Sequence, residues 1–170
     1  DAALSNTRGA EILSIGTLAE ALRGDDERAV AVLGRSFAEA EAPFAPLNTA
    51  LAEDGLLIEA PEGAVLDAPL HLVFVHSADN TGSSYLRHKI ECRENSRLTV
   101  IEHHRGGGSG LSNDLWHVHV KPNAQLRHLR VQNAGSAHTA FSRCDAVIAG
   151  DALYTRLDID TGGHYQRLEL

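Results

Sequence analysis

The sequence predicts a mainly β protein, a stacked β-solenoid preceded by a short helical N-terminal segment. Three observations predict it. The first fifty residues carry helical signals, whereas the chain after Gly55 breaks into short runs rich in Val, Ile, Leu and Thr between turn residues. Those runs recur as a unit: "IECRENSRLTVIE", "VHVKPNAQLRHLR" and "AVIAGDALYTRLD" each read as strand, tight turn, strand. The first apolar residues after the turns, Leu98, Leu126 and Leu153, are spaced 28 and 27 apart. The expected organisation is a helical segment over 1–50 and a solenoid core over 51–170. A β-sandwich is the alternative architecture.

Each element has a local reason. "GTLAEALRG" carries Thr17 and, three residues on, Glu20, the pattern of a capping box, and Gly24 is a natural stop. "DDERAVAVLGRSFAEAEA" has Asp25 or Asp26 as N-cap, Val30, Leu33 and Phe37 at helical spacing, and Pro43 as terminator. "FAPLNTAL" predicts a further short helix before Gly55, and "LLIEAPEG" a strand and a turn. "APLHLVFVH" is apolar on both faces, the pattern of a buried strand.

"SYLRHKIEC" alternates, with Leu86, Ile90 and Cys92 on one face and Arg87, Lys89 and Glu91 on the other. "LWHVHV" puts Trp116, Val118 and Val120 opposite His117 and His119, with "LSND" before it as loop. Asn95, Asn123 and Gly150 mark the tight turns, because Asn and Gly tolerate left-handed backbone. No long helix interrupts the strands, which argues against a βαβ sheet. Superposing the repeats stacks Val100 with His128 and Thr155, Lys89 with His117 and Asp145, and Glu91 with His119 and Val147. A single rung would be unstable alone.

Composition narrows the function. The chain has 170 residues and a formal charge of −8. No basic cluster is visible along it, so a nucleic-acid or anionic-membrane partner is not expected. No apolar run approaches the roughly 18 residues of a membrane span. Cys92 and Cys144 stand far apart and in no CxxC pair, which suits a reduced cytosolic protein. No signal peptide is recognisable, and the start at Asp1 reads as that of a fragment or trimmed chain.

The stretch "EHHRGGGSG" holds the most suggestive candidates, Glu102, His103 and His104 followed by Gly106–Gly108. A phosphate loop needs a helix N-terminus behind its glycines, and a loop and strand follow here instead. Adjacent residues on a strand point to opposite faces, so His103 and His104 cannot easily share an ion. Glu102 and His104 could, with a third ligand from a neighbouring rung. His117 and His119, at i and i+2, form a half-site of the type zinc or iron uses, but the expected reading is a solvated outer face. His88 and His128 fall in phase with apolar neighbours and read as buried structural histidines, and Cys92 and Cys144 as small buried hydrophobes. Asp158 and Asp160 are paired carboxylates on one strand face. No nucleophile elbow is present.

Beyond these patterns, the chain resembles a known family. "PFAPLNTALAEDGLLIEAPEGAVLDAPLHLVF" (43–74) resembles the segment that opens the β-helix core of the SufB/SufD family of iron–sulfur cluster assembly proteins. The likeness continues through "YLRHKIECRENSRLTVIEHH" and "HVHVKPNAQLRHLRVQN" and covers residues 40 to 165 or so. "VIEHH" after a Ser-Arg-Leu strand resembles the SufD branch.

The resemblance implies a right-handed parallel β-helix. It implies a scaffold that pairs with a SufB-like paralogue through their β-helices and binds a SufC-like ATPase through a C-terminal helical region. It implies no enzyme activity of the chain's own and no cofactor within it, the cluster being handled by the whole complex. The family's proposed cluster-chemistry residues lie beyond this stretch, so no catalytic, cofactor-binding or metal residue is carried over. A solenoid ending at Leu170 is expected to associate through its open end. The alternative function is a β-helix enzyme or metal-binding β-domain using His117, His119 or the Glu102–His104 cluster. A sugar-binding solenoid would need an exposed aromatic stripe, hard to build with aromatics at 5%.

Overall fold

A computed structural model describes residues 5–24, 26–34, 44–77 and 81–170, with the side chains of Arg28 and Ala29 excepted. The chain is a parallel β-solenoid of about four turns with short helices near its N-terminus. In order, the elements are β1 (Ser14–Thr17), α1 (Leu18–Arg23), α2 (Glu27–Leu33), α3 (Phe44–Leu51), β2 (Leu56–Ala60), β3 (Leu70–His76), β4 (Ser83–Cys92), β5 (Arg97–Gly106), β6 (Leu111–Val120), β7 (Gln125–Ala134), β8 (Thr139–Ile148), β9 (Leu153–Gly162) and β10 (Tyr165–Glu169). They build two facing sheets. Sheet A runs β1-β2-β4-β6-β8-β10 and sheet B runs β3-β5-β7-β9. All pairings are parallel except β1 with β2, so β1 closes the first edge of sheet A.

The rung length is set at the tight corners between sheet A and sheet B. Gly63, Asn95, Asn123 and Asp151 occupy the left-handed region there, with φ of 69°, 60°, 59° and 59°. Each corner closes with an N–H to the carbonyl three residues back, as from Ser96 to Arg93 (3.1 Å) and Ala124 to Lys121 (3.1 Å). The third corner corrects the sequence reading. Its left-handed residue is Asp151 and not Gly150, since a short side chain that bonds locally tolerates this conformation too. The period therefore stays at 28: Leu126 stacks on Tyr154, and Leu153 points outward, 51% exposed. Val100 and His128 share their column with Arg156, not Thr155. The other two expected columns form as read.

Three further local readings change. "LSND" belongs to β6, which begins at Leu111, so the loose corner is only residues 107–110. The strand "LHLVFVH" is not buried on both faces, because Val73 and Val75 are 63% and 75% exposed. That follows from where the helices lie: α2 and α3 pack over sheet A, and among the described residues no helix covers the outer face of sheet B. The first fifty residues, read as helical, also contain β1.

The helices follow their caps. The Thr17–Glu20 box is present in full, and Gly24 ends α1 with an N–H bond to Glu20 O (3.0 Å). Asp25, Phe37 and Pro43, expected to bound or line the second helix, lie outside the described residues. The helix α3 is tied down by Asn48, fully buried, whose amide donates to the carbonyls of Leu86 (3.0 Å) and Asn113 (2.8 Å).

Between the sheets the interior is divided. Beside the tight corners it is apolar, with Ile58, Ile90, Cys92, Leu98, Val100, Val118, Val120 and Leu126 buried. Each such aliphatic side chain contributes roughly 1.5–3 kcal/mol. Beside the glycine corner it is polar. That corner brings backbones very close: Gly106 has φ 137°, and a Cβ there would overlap the carbonyl of His76 in the preceding rung. Gly106→Ala is expected to cost at least about 2 kcal/mol, since conformation and space both forbid the methyl. Urea unfolding of the variant beside the parent checks this, and a change under about 0.5 kcal/mol would contradict it.

Candidate functional site

The alternation of β5 sorts the "EHH" residues as expected. Glu102 and His104 point inward and are buried, while His103 faces out and stacks on His71 of the preceding rung, ring centroids 5.2 Å apart. The neighbouring rung does supply a third inward group, His128. Glu102 is the hub. Its Oε2 accepts from His104 Nε2 (3.0 Å) and from the indole N–H of Trp116 (3.1 Å), and its Oε1 lies 2.5 Å from His128 Nε2. The chain of contacts continues from His128 Nδ1 to the Tyr154 hydroxyl (3.2 Å) and from there to Cys144 Sγ (3.3 Å). In the other direction His104 Nδ1 is 3.9 Å from Asp114 Oδ2.

These contacts decide the charges. Burial alone would raise the Glu102 carboxyl, but the bonds from His104 and His128 outweigh it and hold the group well below the usual carboxylate range. Burial likewise opposes charge on His128, yet its contacts with Cys144 and Glu102 lift it above an ordinary histidine. His88 is pushed down to about 3 by burial. Its Nδ1 accepts the Leu56 N–H (2.9 Å), which fits the neutral ring stacked 4.2 Å over Trp116. Burial also lowers His76 to about 4, helped by His138, His104 and Arg130. Asp114 goes the opposite way, raised to about 6 by burial despite His104 and Arg130.

Stacking distributes these charges along the axis. The column Glu102–Arg130–Asp158 alternates in sign from rung to rung. Arg130 also reaches Asp160 and Gln132, and Arg156 holds Asp158 with two bonds (2.7 and 2.8 Å). The paired carboxylates Asp158 and Asp160 are thus partners of buried arginines, not a free acid–base pair.

The remaining candidates sit elsewhere. His117 is not on a solvated face: it is 2% exposed, and its Nε2 accepts from Arg87 Nε (3.1 Å). Arg87 in turn donates to Thr49 Oγ1 of α3 (2.6 Å), so the helices bury this histidine. His119 is half-buried beside it, and with Lys89, Val30 and Val32 the two line a cavity of about 330 Å³ under α2. The residues after Gly106 lead into a strand, so the glycine run has no helix behind it to hold a phosphate. Cys92 and Cys144 are free and buried, and burial pushes the Cys92 thiol up to about 12. Among the described residues no three His, Cys, Asp or Glu side chains are placed to hold a metal ion.

A family comparison adds to this geometry. The model of the SufBD core domain of SUF-system iron–sulfur cluster assembly matches residues 74–170, which is more than half of the chain. The chain belongs to the SufB/SufD family. In this SufBD core the match begins at Phe74, whose ring stacks on His104 at 4.6 Å, and takes in the hub and every rung after it. The match indicates a part in iron–sulfur cluster assembly. No curated protein matches the chain. Among the described residues of this SufB/SufD chain, no helix is long and apolar enough to cross a membrane.

Sequence reasoning missed Asp114, His76, His138 and Arg130 as members of the interior. Asp114 was legible from the register, lying 28 after Leu86 and two before Trp116 on the same face, once "LSND" is a strand. Its titration gives a test. A folded-state pKa raised from 3.8 to about 6 means stability is lost as pH rises through that window. Asp114→Asn removes the loss. The variant is expected to be more stable above pH 6, by up to about 3 kcal/mol, with the gain vanishing by pH 4. Urea unfolding at pH 7.5 and pH 4 measures it, and an unchanged or lower stability at pH 7.5 would refute the assignment.

Proposed function

We propose that this chain is a SufD-like scaffold subunit, pairing with a SufB-like paralogue and a SufC-like ATPase, and carrying no catalytic site of its own. The observation behind the reading is the use made of the most reactive-looking residues. Glu102, His104 and His128 are committed to each other across two rungs, with Trp116 closing the hub. Side chains so engaged stabilise the stack and leave little free valence for substrate. The SufD branch is supported by "VIEHH" following Ser96-Arg97-Leu98. Two unpaired cysteines support a reducing, cytoplasmic setting. The iron–sulfur cluster is cargo of the assembled complex in this reading.

The full-length protein, tagged in its own host, is expected to co-purify with SufB-like and SufC-like chains. Recovery of the tagged protein without either would sink the proposal. Metal analysis separates the alternative: stoichiometric zinc or iron that disappears in His117→Ala/His119→Ala would favour a metal-binding domain instead.

A further inference from the structure

The outer face of sheet B carries a charge and polarity unlike the rest of the chain. The molecule is acidic, with 23 Asp and Glu against 15 Lys and Arg. Yet the outward positions of β3, β5, β7 and β9 include Arg97, Arg105 and Arg127 and no carboxylate. Arg93, Arg130, Arg143, Arg156 and Arg167 each have a carboxylate partner in the fold, but these three have none among the described residues. All three are exposed. The winding brings Arg127, 30 positions on, to the strand beside Arg97, while Arg105 stands at the far end of β5.

Between the arginines runs an apolar ladder. Ile101, Leu129 and Leu157 stack in one column. Val131 and Ile159 continue the adjacent one beyond Val73 and His103. Leu157, Ile159 and Val73 are 51%, 45% and 63% exposed. Arg97 and Arg127 flank the ladder at the strand starts and Arg105 at the strand ends. Sheet A, by contrast, has α2 and α3 over it.

We propose that this face docks another protein, one presenting an apolar strip flanked by Asp and Glu. Charge complementarity selects that partner. A nucleic acid or anionic bilayer would meet the arginines but also the −8 charge of the whole chain, and would leave the ladder without an apolar complement. A second copy meeting it face to face would set arginine against arginine. Four strands about 4.8 Å apart and some 30 Å long make a face of roughly 500 Å², at the low end for specific complexes, so the contact is transient and salt-sensitive. The inference rests on this face alone and holds whether or not SufB and SufC co-purify.

The test places a photo-crosslinking amino acid at Leu129 in the full-length protein in its host, with a control at Val147 on sheet A. Crosslinked peptides are identified by mass spectrometry. A protein peptide in which Asp or Glu flank apolar residues is expected. R97E/R105E/R127E should reduce that crosslink at least tenfold, with Val147 crosslinks and urea stability unchanged. With the purified partner, the same variant should bind at least tenfold more weakly, and Lys at the partner's acidic positions should restore binding. A crosslink to nucleic acid, lipid, a second copy or a peptide without carboxylates would overturn the proposal. So would indifference to the arginine reversal, or no crosslink at Leu129.

Discussion

A left-handed residue at each tight corner is the constraint on which this structure depends. Gly63, Asn95, Asn123 and Asp151 turn the chain from sheet A to sheet B in four residues, and each of these corners is closed by the same backbone bond. With that corner fixed, two ten-residue strands and the four-residue loose corner at 107–110 complete a rung of 28. Everything else inherits that register. A slip of one residue would turn Leu126 outward and Arg127 inward, so the energetic penalty for a wrong corner is spread over a whole strand.

The register also explains why a polar interior is tolerable. Buried charges cost several kcal/mol each unless they are paired and hydrogen-bonded. In one interior column, parallel stacking places each charge directly over one of opposite sign from the next rung. Glu102 sits over Arg130 and Arg130 over Asp158, so no like charges are adjacent in that column. The hub also crosses between sheets, because Trp116 of sheet A donates to Glu102 of sheet B. Polar contacts therefore hold the sheets together where the apolar core does not reach.

Much of this was legible in the sequence, for identifiable reasons. Strict alternation put Glu102 and His104 on one face and His103 on the other, and put His88, Cys92 and Cys144 in the interior. The capping box at Thr17 located α1. What was not legible depended on tertiary context. Gly150 drew the corner away from Asp151, because glycine is the default left-handed residue and aspartate only a tolerated one. His117 looked solvated because nothing local shows that α3 and Arg87 cover it. Arg97 and Arg127 looked scattered because linear charge runs do not register residues that the winding brings onto neighbouring strands.

The stacking has a consequence for how such a chain can change. The unit that tolerates substitution is the column, not the strand. A new charge at Gln132 would meet His104 and Asp160, which lie 28 positions away on either side. Length is another matter. An extra residue in the four-residue loop at 107–110 would alter one loose bend and leave the columns on both sides intact. The same insertion at the start of β7 would reverse the faces of the strand, turning Leu126, His128, Arg130 and Gln132 outward and Arg127 and Asn133 inward. Insertions and deletions in such a chain are therefore confined to one side of the solenoid, while the opposite side keeps its length.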